Sequence, residues 1–68
     1  MHLAIEIDRE EDGRWIAEVQ DIPGALVYGD TRDEAIVRVK ALVLRIIADR
    51  IENMELVSDM DELFSIMA

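Results

Sequence analysis

"DIPGALVYGDTRDEA", Asp21–Ala35, contains the only proline of the sequence, its only tyrosine and two of its three glycines. Such a concentration marks either a loop shaped around a ligand or a corner of the fold. The residues favour the corner. Pro23 fixes φ and Gly24 tolerates positive φ, and together they suit a tight turn. "ALVYG", Ala25–Gly29, reads as a short strand that ends at Gly29 and Asp30. "TRDE", Thr31–Glu34, is a capping-box sequence. The Thr31 hydroxyl is expected to accept from the Glu34 amide, while the Glu34 carboxylate reaches back to the Thr31 amide. A helix is therefore predicted to start at Arg32.

Upstream of this corner the pattern has period two. Leu3, Ile5 and Ile7 alternate with Ala4 and Glu6, as in a half-buried strand over Leu3–Ile7. Asp12-Gly13 is a turn signal within a charged loop. Alternation then resumes, with Trp15, Ala17 and Val19 on one face and Arg14, Ile16, Glu18 and Gln20 on the other. An antiparallel hairpin is expected.

Downstream, no glycine or proline interrupts the chain from Arg32 to Asn53, where the helix is expected to end. Ala35, Ile36, Val39, Leu42, Val43, Ile46 and Ile47 share a broad face suited to pack on the sheet. A second apolar stripe remains: Val37, Ala41, Leu44, Ala48 and Ile51. A helix that is apolar on nearly all sides is normally covered on more than one. Either another chain or the C-terminal tail is expected to cover this stripe, and its five residues are the candidate oligomer interface. Glu34–Arg38 and Arg45–Asp49 have the spacing of i,i+4 ion pairs. The tail segment "LFSIMA", Leu63–Ala68, suits either a fourth strand or the end of a second helix.

The sequence has 68 residues, so a single domain over residues 1–68 is expected. Chains this short commonly draw stability from disulfides, metals or partner chains. There is no cysteine, which leaves a homo-oligomer as the expected source. The net charge is −9 and the pI about 4.3. Such a surface repels nucleic-acid backbones and anionic membranes, and it steers towards basic partners. "MHLAIEID" lacks a basic n-region and a long apolar h-region, and no apolar run is long enough to span a bilayer. A cytoplasmic location is expected.

Residues that could carry chemistry are sparse. Sixteen carboxylates invite a metal or acid–base reading, but most fall in turns and on solvated faces. "REEDG" lacks the spaced oxygen ligands of a calcium loop. Glu6 and Asp8 could form the start of a nuclease-like carboxylate cluster, although Glu6 shares its face with Ala4 and is expected to meet solvent. Ser58 and Ser65 have no internal histidine to activate them, and His2 lies at the chain start. "GDT" lacks the glycine spacing and lysine of a phosphate loop. No enzyme activity, cofactor or metal is expected.

Across Gly13–Glu52 the sequence resembles the HicB-like antitoxin family. The shared elements are the "DGRWIAEV" strand, the "DIPG" turn, the "YGDTRDEA" passage into the helix, and the long aliphatic helix itself. The resemblance implies an α+β domain of order β-β-β-α-β, with an antiparallel sheet against one long helix, like a truncated ribonuclease H core. It favours the strand reading of Leu63–Met67. It also implies neutralisation of a small basic HicA-type mRNA-cleaving toxin by covering its active surface. The expectation is a short stand-alone member without a DNA-binding segment. The alternative is a stand-alone homo-oligomeric domain with another binding role and no toxin.

Overall fold

The structure, a computed structural model, describes residues 2–55 together with 64, 65 and 67. Strands β1 (Glu6–Arg9), β2 (Trp15–Glu18) and β3 (Leu26–Gly29) precede helix α1 (Arg32–Glu52). The three strands form one antiparallel sheet in the order β1-β2-β3, and α1 packs on one of its faces. The class is α+β, as the sequence implies.

The first strand is displaced from its expected span. Ladder pairing covers Glu6–Arg9, with Asp8 opposite Ile16 and Arg9 opposite Trp15. Apolar alternation tracks burial, and Leu3, Ile5 and Ile7 do pack against the core. Hydrogen bonding instead follows the partner strand, which carries β1 out to the hairpin loop. That loop closes through Glu10 N–H to Arg14 O at 2.8 Å and Gly13 N–H to Glu10 O at 2.9 Å. Gly13 takes a φ of +91° there.

Among the described residues the buried core is wholly aliphatic. Ala17, Val19, Ile22, Ala25, Ala35, Val39, Val43 and Ile47 are buried, and no polar side chain is buried among the described residues. The four helix members recur every fourth residue and look onto the sheet. Ile36, Leu42 and Ile46, expected on the same face, are half-buried. Trp15, Ala17 and Val19 share the helix-facing side, as their alternation predicts.

The corner at Asp21–Ala35 supplies three core residues itself, Ile22, Ala25 and Ala35. Ala25 N–H donates to Ile22 O at 3.1 Å, and Gly24 has a φ of +88°. This is the arrangement of a type II turn with proline at its second position and glycine at its third. Ile22 and Ala25, on either side of the exposed Pro23-Gly24, are both buried. Arg50 reaches back from the last turn of α1 to Pro23 O at 3.4 Å.

Thr31 caps α1 in extended conformation, its hydroxyl accepting from Glu34 N–H at 3.1 Å. The reciprocal bond differs from expectation. The Glu34 carboxylate approaches the Asp30 amide at 3.5 Å, not that of Thr31, because Arg38 also draws on it at 2.8 Å. The second expected pair, Arg45–Asp49, does not close among the described residues. Thr31→Ala is expected to lower stability by about 1 kcal/mol, the usual worth of such a cap. Urea denaturation checks this, and an unchanged midpoint would show that the cap contributes nothing.

At the other end Asn53 is the C-cap, as predicted. Met54 N–H bonds Ile51 O at 3.0 Å and Glu55 N–H bonds Arg50 O at 2.8 Å. These are the two bonds of a Schellman motif, with Met54 in the left-handed position at φ 59°. The fourth strand expected over 63–67 falls largely outside the described residues; Phe64, Ser65 and Met67 belong to no strand.

Candidate functional site

Among the described residues of the sheet and α1, two surfaces gather apolar groups facing solvent. One is the outer side of α1. At about 100° per residue, the stripe lies some 140° around the helix from the buried row. Val37 is 66% exposed, Leu44 68% and Ile51 47%. Ala48 is exposed and Ala41 half-buried. The spacing of these five residues alternates four and three, which is the seam pattern of packed helices. Charges of both signs flank it: Arg38, Lys40 and Arg45 with Asp49 and Glu52.

The second surface is the sheet face turned away from α1. Strand register sets out its side chains in two rows. Asp8, Ile16 and Tyr28 form one, and Glu6, Glu18 and Leu26 the other. Carboxylates occupy the β1 side, while Leu26 and Tyr28, both about two-fifths exposed, make the β3 side apolar. A shallow depression of about 460 Å³ lies between Glu6, Asp8, Glu10, Ile16 and Glu18. Gln20 donates to Glu6 at 2.9 Å. Alternation within β3 could have revealed the apolar half, since Leu26 and Tyr28 alternate with Val27 and Gly29.

Arg14 frames this face from the hairpin tip. Its guanidinium lies 4.5 Å from the centre of the Tyr28 ring, a cation–π distance. Its backbone N–H and Nε both donate to Asp12, at 3.0 and 2.7 Å. The backbone amide, aided by the guanidinium, holds the Asp12 carboxyl below the usual carboxylate range. A depressed folded pKa stabilises the tip above the unfolded pKa, and the effect fades as pH falls through the folded value.

The remaining sequence candidates are architectural. Thr31 and Glu34 organise the helix start, Pro23 and Gly24 make the turn, and Gly29 lies beneath the first turn of α1. Glu6 and Asp8 share the open face with Glu18, yet among the described residues no three His, Cys, Asp or Glu side chains could hold a metal ion. No helix among the described residues is long and apolar enough to cross a membrane. Compared with family models, curated proteins and solved structures, the chain gives no match.

Proposed function

We propose that this protein is a non-enzymatic binding domain, a HicB-like antitoxin that neutralises a small basic HicA-type mRNA-cleaving toxin in the cytoplasm. The observation that carries this reading is the acidity, a net charge of −9 on 68 residues, with carboxylates gathered on the sheet face that, among the described residues, is turned away from α1. Opposite fields speed encounter and reject partners of the same sign. The motif order over Gly13–Glu52 supports the family, and with it a fourth strand at 63–67 and a truncated ribonuclease H core. The exposed stripe Val37, Ala41, Leu44, Ala48 and Ile51 supports assembly with a second copy, because a large apolar patch on a small domain marks a contact surface.

The test is coexpression with the product of the neighbouring reading frame, which this reading expects to be small and basic. The two should copurify in stoichiometric amounts, and growth arrest by the basic protein should be relieved. If the neighbouring frame encodes nothing small and basic and the chain purifies alone, the antitoxin reading fails. The same stripe would then favour a homo-oligomeric domain with another binding role.

A further inference from the structure

Resting on the binding-domain reading above, we propose that the open face of the sheet is the docking surface for the basic partner. The occupant is an amphipathic helix or β-ribbon with lysine or arginine along one side and an apolar ridge along the other.

The dimensions suit such an element. Three strands at about 4.8 Å spacing and four residues at about 3.4 Å give a platform roughly 10 by 14 Å. An α-helix with its side chains is about 10 Å across. The chemistry divides across that width. Ile16, Leu26 and Tyr28 offer an apolar seat on the β2–β3 side, while Glu6, Asp8 and Glu10 line the β1 side and Glu18 on β2 stands between Glu6 and Leu26. Among the described residues the Arg14 guanidinium stacks on the Tyr28 ring at one corner of this face, and the carboxylate side stays open.

Charge selects between occupants. A second copy docked through the same face would either set Glu6, Asp8 and Glu18 against their own counterparts or bury them against Leu26 and Tyr28 with no added counter-charge. Nucleic acid and anionic lipid are repelled in the same way. In the free protein Glu6 and Glu18 stand directly opposite across the ladder, and like charges so placed destabilise a sheet. Gln20 relieves only Glu6. A cationic side chain seated between the two carboxylates relieves both, so the face gains more from a basic partner than from any other class. The helix stripe, flanked by both signs of charge, is left for the second copy.

The test uses the full chain and the neighbouring small basic protein as probe, with binding measured by calorimetry. Glu6→Lys/Glu18→Lys and, separately, Tyr28→Ala should each weaken binding by about tenfold or more. The charge variant should also flatten the salt dependence. Leu44→Glu, on the opposite side of the molecule, should still bind. These positions are not fully buried, so circular dichroism should report a folded chain. Should the double variant not fold, carboxyl footprinting of the parent decides: Glu6, Asp8 and Glu18 should be protected in the complex. Sheet variants that bind like the parent, or carboxylates that stay reactive, would overturn the docking surface while leaving the partner in place. A parent that does not bind the basic protein overturns both the surface and the antitoxin reading.

Discussion

Gly29→Ala is expected to destabilise the domain by about 2–3 kcal/mol, the upper range for overpacking a tight contact. The effect comes from the end of β3, where the chain passes directly under the first turn of α1. A Cβ on Gly29 would lie 2.6 Å from the Ala35 nitrogen, 3.0 Å from its Cα and 3.2 Å from its Cβ. Two of those atoms are helix backbone, which no side-chain rotation can move aside. The helix would have to lift from the sheet and carry Ala35 and Val39, both fully buried, with it. For a chain of this size total stability is of order 3–10 kcal/mol, so this one methyl group removes a large share. Gly24→Ala is the useful comparison. Its Cβ would meet only Ile46 Cδ1 at 4.0 Å, and its cost comes from a φ of +88°, about 1 kcal/mol. Urea denaturation should rank Gly29→Ala well below Gly24→Ala. Equal midpoints would mean that the close approach of strand and helix is not a constraint.

Val37→Glu combined with Leu44→Glu is expected to convert an oligomer into single folded chains. At 66% and 68% exposure in the protomer, neither glutamate would be forced out of water when the chain is alone, so far-ultraviolet circular dichroism should not change. In a twofold assembly the pair removes four apolar side chains from the seam and adds four carboxylates. Losing about 1 kcal/mol for each half-buried side chain gives about 4 kcal/mol, roughly a thousandfold in the dissociation constant. Sedimentation velocity reads the outcome. A parent that already sediments as a single chain would overturn the assembly, and a variant that sediments like an oligomeric parent would remove this stripe from the interface.

Much of this architecture was legible because local chemistry and global packing agree. Thr31 to Glu34 announced the helix start, Asn53 its end, and the spacing of Ala35, Val39, Val43 and Ile47 its buried side. Disagreement arose where two signals report different things. Leu3, Ile5 and Ile7 mark burial, whereas the ladder is set by what faces Ile16 and Trp15, so β1 extends to Arg9. Pro23-Gly24 announced a turn but concealed that Ile22 and Ala25 enter the core. The Glu34 bond depended on competition from Arg38, one turn further on. Of the candidate surfaces, the helix stripe was readable from spacing alone. The sheet face was not, because it exists only once register brings Glu6, Glu18 and Leu26 into one row and Asp8, Ile16 and Tyr28 into another.

The helix is fastened to the sheet at two separated points, by Arg38 donating to Tyr28 O at 2.9 Å and by Arg50 reaching Pro23 O. Its outer stripe and the acidic sheet face therefore point in opposite directions at a fixed angle. Two copies joined along their helices would stack as sheet, helix, helix, sheet, with an acidic platform on each outer side. On the proposed reading such a pair would be bivalent, with one docking platform for a basic chain on each side and a two-to-two stoichiometry. Because the two platforms face away from each other, a basic protein that itself pairs would bridge separate assemblies rather than close on one.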